Sequence, residues 1–175
     1  MNVQAMEQYI QQVANKYTTQ FNVYRDESLS NIPIDFRAEY HRSDEKYFGS
    51  KSVKVWGVEN QQFVFTLKKE EVVTSEDIES LETKIVEHIG AYVPDRSEHM
   101  STIFIGVIVT NQEVTDEVKK LAKKKRKMKF IKWGMNGWAE VYIAVVQVAD
   151  KEITVHRKGK EFMTVFSHCL EEETQ

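Results

Sequence analysis

Cysteine, proline and glycine are scarce in this 175-residue chain, which has one Cys, two Pro and seven Gly. The lone Cys169 cannot close an internal disulfide, so the disulfide-stapled secreted class is excluded. So little Pro and Gly also excludes collagen-like repeats, flexible linkers and a mucin-like stalk. Long apolar runs are missing too: the longest, Ile103 to Val109 with Gly106 inside it, spans seven residues, against the roughly 20 that a membrane helix needs. Met1 to Glu7 carries neither a basic nor an apolar signal-type region, so the expected location is the cytosol, with no membrane partner. No excess of either charge dominates, since 24 Lys plus Arg stand against 27 Asp plus Glu for a net −3. What is present is material for a core, 41% hydrophobic and 11% aromatic. Without linker or internal repeat, this predicts a single domain over residues 1–175.

Met6, Tyr9, Ile10, Val13 and Tyr17 recur at three and four, predicting a helix that ends near Thr19. Past Pro33 the period changes to two. Ile34, Phe36, Ala38 and Tyr40 alternate with Asp35, Arg37, Glu39 and His41, a half-buried strand with an ionic outer face. Val53–Trp56 and Phe63–Leu67 read as further strands, with turns at Ser43-Asp44-Glu45 and Glu59-Asn60. Thr74 with Asp77 is a weak capping box before Ile78, Leu81, Ile85 and Ile89, and Gly90 predicts the stop of that helix. Ile103–Val109 is apolar at successive positions, as only a strand covered on both faces tolerates. A helix from Thr115, a strand over Met128–Ile131, strands over Val141–Val148 and Ile153–Val155, and a helix near Glu161–Leu170 complete the chain. Asn136-Gly137 is its strongest hairpin signal. The expected fold is α+β, an α/β sandwich in which helices pack on a mixed, largely antiparallel sheet, in the order αβββαβαβββα.

The most unusual composition lies over 119–132. Lys119, Lys120, Lys123, Lys124, Lys125, Arg126, Lys127, Lys129 and Lys132 are basic there and nothing is acidic; setting their +9 aside leaves the rest of the chain at −12. A surface built from Lys123, Lys124, Lys125, Arg126, Lys127 and Lys129 would attract phosphates, and Phe130 and Trp133 are near enough to stack on bases. The same lysines also suit the C-terminal dipole of a helix and would offset the acidic helix carrying Glu76, Asp77, Glu79, Glu82 and Glu87. Asp35 and Glu39 share one strand face and form a candidate Mg²⁺ pair, with Arg37 between them as the ordinary salt-bridging alternative.

Other chemistries lack their residues. The five histidines, His41, His88, His99, His156 and His168, show no zinc-pair spacing. Cys169 precedes Glu171, Glu172 and Glu173, whose charges disfavour a thiolate. Gly134-Met135-Asn136-Gly137 precedes a strand rather than following one, against a nucleotide-binding loop, so no cofactor is expected. Asp95–Thr102 leads polar groups into the apolar strand, which is the wrong end for an α/β site. Trp133 and Trp138 flank a tight turn as core cover or partner anchor.

The order helix, three strands, helix, strand resembles the core of restriction-endonuclease-like nucleases. That resemblance implies a carboxylate two positions before a lysine on the third strand, where this chain has Thr66 before Lys68. Glu98-His99-Met100-Ser101, Gly106 to Asn111, Gly134 with Gly137-Trp138, and Lys158-Gly159-Lys160-Glu161, in this order, resemble an uncharacterised protein family of low-GC Gram-positive bacteria. The resemblance implies a bacterial cytosolic protein and supplies no catalytic residues. With no nucleophile, base and metal ligands converging, the reading is a non-catalytic binding or interaction domain, as a homo-oligomer or with a protein partner. Nucleic-acid or phosphate binding through 119–132 is the alternative, and a divergent metal-dependent phosphodiesterase using Asp35 and Glu39 the second.

Overall fold

A computed structural model of the chain describes residues 3–40, 61–93, 101–130 and 137–172. The expected strand Val53–Trp56, the turns at 43–45 and 59–60, Asp95–Met100, and Trp133 with Asn136 lie outside them.

In chain order the elements are α1 (Val3–Tyr17), β1 (Asn22–Leu29), β2 (Ile32–Tyr40), β3 (Gln61–Lys69), α2 (Ser75–Tyr92), β4 (Ser101–Thr110), α3 (Asp116–Lys124), β5 (Arg126–Phe130), β6 (Trp138–Gln147), β7 (Glu152–Thr154), a 3₁₀ helix (Arg157–Met163) and α4 (Thr164–Glu172). The strands form one sheet in the order β1-β2-β3-β4-β6-β5, with β7 also on β6. Neighbours β3–β4 and β4–β6 run parallel, and the other four pairs are antiparallel. The expected α+β architecture is the observed one.

Two apolar layers sandwich the sheet. On one face α1, through Met6, Tyr9, Ile10, Val13 and Tyr17, and α4, through Val165, Phe166, Cys169 and Leu170, cover Ile103, Ile105, Val107 and Tyr142. On the other, Ile78, Leu81, Ile85 and Ile89 of α2 with Val118 and Ala122 of α3 cover Phe63, Phe65, Phe104, Val141 and Ile143. β4 is therefore buried on both sides, as its unbroken apolar run requires. Gly106 sits beneath α2, where a Cβ would come within 2.8 Å of Leu81 and Ile85 and 2.9 Å of Ile143. Glycine is needed there for close helix–sheet approach. Cys169, fully buried between α4 and α1, is a packing residue.

Two local expectations are corrected. The first strand of the meander is β1, which the sequence hides because only Leu29 of its eight residues is buried. It pairs with β2 from Asn22↔Glu39 to Leu29↔Ile32 through a two-residue turn with Ser30 at φ 59°. Gly90 does not end α2; the helix runs on to Tyr92, whose ring packs on Phe63, Phe65 and Phe104. The stop comes at Val93, which is extended at φ −88°, ψ 120°, as a residue before proline prefers. Phe130 pairs with Trp138, and of the expected Asn136-Gly137 turn between them only Gly137 lies within the described residues. Gly137 takes φ 87° just before β6.

Candidate functional site

The basic segment forms the C-terminal half of α3 and the whole of β5, and the fold divides its charges. Asp116 and Glu117 open α3 after the Thr115 cap, and lysines close it, so the helix follows its own dipole. Three cations of the segment are engaged internally. Lys119 Nζ lies 3.0 Å from Glu152 of β7. Lys125 Nζ reaches across to α2, 2.7 Å from Glu79 and 3.3 Å from Glu82. Arg126 donates to Glu140 at 2.6 Å and to the Tyr142 hydroxyl at 3.1 Å, and that hydroxyl also lies 3.1 Å from Glu140. Lys120, Lys123, Lys124, Lys127 and Lys129 are exposed and have no salt bridge among the described residues.

Register decides which of these share a face. Cross-strand neighbours project to the same side of a sheet. Lys127 opposes Val141 and Lys129 opposes Ala139, both in the core beneath α2 and α3. The two lysines therefore stand on the α3 side, beside Lys120, Lys123 and Lys124. Arg126, Met128 and Phe130 oppose Tyr142, Glu140 and Trp138 and project to the α1 side. There Phe130 is 63% exposed, Met128 40% and Trp138 38%, an aromatic patch at the sheet's end. Lys127 and Lys129 thus share a face, Lys123 and Lys124 are exposed at the end of α3, Lys125 and Arg126 are held by carboxylates, and Phe130 lies on the opposite face; Trp133 lies outside the described residues. Among the described residues β5 pairs with β6 alone, so no described strand lies along its outer edge.

Asp35 and Glu39, the candidate Mg²⁺ pair, both lie on β2. Four residues of strand separate them by about 13 Å, and each is engaged. Glu39 lies 3.1 Å from Arg37, whose guanidinium also stacks over Tyr24 at 4.5 Å and faces Tyr92 at 5.3 Å. Asp35 accepts the Lys68 backbone N–H at 2.8 Å. Among the described residues no three His, Cys, Asp or Glu side chains gather around a common point. Thr66, where a nuclease would carry its carboxylate, is fully buried in the sheet.

Around Asp35 the structure assembles something the sequence did not announce. The β2–β3 ladder stops at Phe36↔Thr66, whereas β3 continues beside β4 to Lys69↔Thr110. Beyond Phe36 the β1–β2 hairpin peels away from β3, with Asp26 at φ 55°, and leaves a cleft of about 590 Å³ roofed by the first turns of α2. Ile32, Ile34, Leu67, Leu81 and Ile108 line its floor, and Asp26, Asp35, Lys68, Lys69, Asp77 and Ser80 its walls. Lys68 Nζ is 2.6 Å from Glu7 of α1, and this bond is the main cause that holds its pKa up. Lys69 Nζ is 3.2 Å from Asp77. Burial works against the ionised Asp77, but hydrogen bonds from Thr74 and Lys69 outweigh it and keep its pKa low. Burial pushes Asp35 above the usual carboxylate range, aided by the charges of Asp26 and Glu7 and opposed by Lys68. Of this group sequence reasoning singled out only Asp35 as a site residue, paired with Glu39 rather than with the residues of the cleft. The Thr74–Asp77 spacing was legible only as a cap.

A family model described as "Domain of unknown function (DUF8052)" matches residues 5–168. No curated protein and no solved structure matches the chain.

Proposed function

We propose that the chain, which belongs to the family Domain of unknown function (DUF8052), is a non-catalytic interaction domain of the bacterial cytosol. Its binding surface is the open edge of β5, and its partner an extended segment with acidic and aliphatic residues in alternation. The observation that carries this is the chemistry of that edge: lysines 127 and 129 on one face, Met128 and Phe130 on the other, and no described strand beyond it. A strand added there gains main-chain hydrogen bonds from the free edge. Its acidic side chains meet Lys127 and Lys129, with Lys123 and Lys124 close by on the same side. Its aliphatic side chains cover Met128, Phe130 and Trp138. A second copy of this chain fits less well, because antiparallel pairing about Met128 sets Lys127 of each copy opposite Lys129 of the other.

Nucleic acid is the second reading, favoured by the five exposed lysines of α3 and β5 that have no salt bridge among the described residues. It uses charge but leaves the strand edge and the aromatic face unexplained. Fluorescence anisotropy separates the two, with a labelled peptide of alternating Glu and Val, its Lys-for-Glu counterpart, and single- and double-stranded oligonucleotides at low and moderate salt. The expected result is that the acidic peptide binds, that the Lys127→Glu/Lys129→Glu variant abolishes binding, and that Lys123→Glu/Lys124→Glu only weakens it. Oligonucleotide binding that both variants remove equally, with a steep salt dependence, would put nucleic acid first. If neither probe binds, both readings fail.

A further inference from the structure

We propose that the cleft between the β1–β2 hairpin, the end of β3 and α2 is a binding site for a small organic cation, an ammonium carried on a short aliphatic body. Its volume of about 590 Å³ lies within the 300–1,000 Å³ usual for small-molecule sites. Ile32, Ile34, Leu67, Leu81 and Ile108 among its lining residues give a hydrocarbon an apolar surface to cover. The walls set the sign of the charge. Four carboxylates line the cleft, Asp26, Glu27, Asp35 and Asp77, against two lysines, Lys68 with Glu7 at 2.6 Å and Lys69 with Asp77 at 3.2 Å, so its formal charge is negative. Asp26 has no hydrogen-bond or salt-bridge partner among the described residues, and Asp35 holds one backbone N–H, from Lys68.

Asp26 and Asp35 lie on neighbouring strands between the pairs Arg25↔Phe36 and Glu27↔Ile34, both line the cleft, and the charge of Asp26 acts on Asp35. Two carboxylates so placed repel one another, and an ammonium between them relieves that repulsion while its tail displaces water from the floor. This site is at the opposite end of the sheet order from β5, so it stands or falls independently of the peptide-binding surface.

The probe is n-butylammonium, titrated into the ¹⁵N-labelled full chain beside butanoate and butanol. Two variants accompany it. Asp26→Asn removes the unpartnered charge from an exposed strand, and Ser80→Trp closes the rim from the solvent side of α2, where no core contact is disturbed. The amine is expected to shift the amide signals of Ile34, Leu67, Lys68, Lys69 and Leu81. Its affinity should fall about tenfold in Asp26→Asn, the loss of one charge-assisted hydrogen bond, and binding should vanish in Ser80→Trp. Butanol should bind more weakly than the amine, and butanoate not at all. The proposal is overturned if the amine shifts no cleft signal, if butanoate shifts the same signals as strongly, or if Asp26→Asn binds the amine as well as the unaltered chain.

Discussion

Gly106→Ala tests how tightly α2 is seated on the sheet. The new Cβ would lie 2.8 Å from Ile85 Cδ1, 2.8 Å from Leu81 Cδ2 and 2.9 Å from Ile143 Cδ1, about 1 Å inside the 3.5–4.0 Å optimum for carbon pairs. All three neighbours are at most 1% exposed, so none can swing outward. Overpacking of this kind costs roughly 1–3 kcal/mol. Loss of glycine's freedom in the unfolded chain returns about 0.4–1 kcal/mol, leaving a net destabilisation of about 0.5–2 kcal/mol. For a chain of this size that lowers Tm by a few degrees, at about 2–4 °C per kcal/mol. Urea unfolding should show a lower midpoint with an unchanged slope. The geometry also names the cure. Ile85→Val and Ile143→Val each delete the very Cδ1 atom in the way, at a cost of about 0.5–1.5 kcal/mol apiece on their own. Combined with Gly106→Ala they should cost less than the sum, with a favourable coupling of about 1 kcal/mol. A Gly106→Ala chain as stable as the unaltered one, or strictly additive triple-mutant energies, would show that α2 is not held against Gly106 as described.

Two buried tyrosines should behave oppositely. Tyr9 donates to the Phe166 carbonyl at 2.8 Å, so Tyr9→Phe should cost about 0.5–1.5 kcal/mol. The Tyr17 hydroxyl is buried without a hydrogen-bond partner among the described residues, and burial, with Cys169 beside it, pushes its pKa well up; Tyr17→Phe should be neutral or mildly stabilising. Equal costs in urea titrations of the two variants would contradict this. Asp35→Asn should be at least as stable as the parent at neutral pH, because Asn keeps an acceptor for the Lys68 N–H while the half-buried charge is gone. Burial raises the folded-state pKa of Asp35, so the folded protein holds that proton more tightly than the unfolded chain. Stability is therefore lost as pH rises from the unfolded value of about 3.9 through the higher folded one. The variant's advantage should fade on acidification below about pH 4, as urea midpoints across that range will show, and an advantage that grows instead would refute the assignment.

Helices and buried strands were legible because burial repeats along them. The 3–4 spacing in α1 and α2 and the uninterrupted run in β4 are imprints of one and two covered faces, and the Thr74–Asp77 box marked a helix start to the residue. β1 was not legible, since a strand that buries one residue in eight carries no alternation to read. Gly90 misled for a related reason: local chemistry favoured a stop, and the aromatic contacts of Tyr92 overrode it.

For the sites the division is sharper. Sequence composition located the basic segment, and the register of β5 on β6 then sorted its members, placing Lys127 and Lys129 on one face and Phe130 on the other. Which lysines were free could not be read from the chain, because their carboxylates come from α2, β6 and β7, between 14 and 46 residues away. The Asp35 cleft was wholly a tertiary matter. It joins the β1–β2 hairpin, β3, β4 and α2 where a strand ladder parts, and no local pattern encodes the point at which two strands diverge. The amino-acid sequence by itself determined the element types, the two-faced core and the uneven charge, since each follows from short-range periodicity and composition. Only the tertiary structure decided which charges neutralise one another and where a cavity opens, because both depend on long-range register.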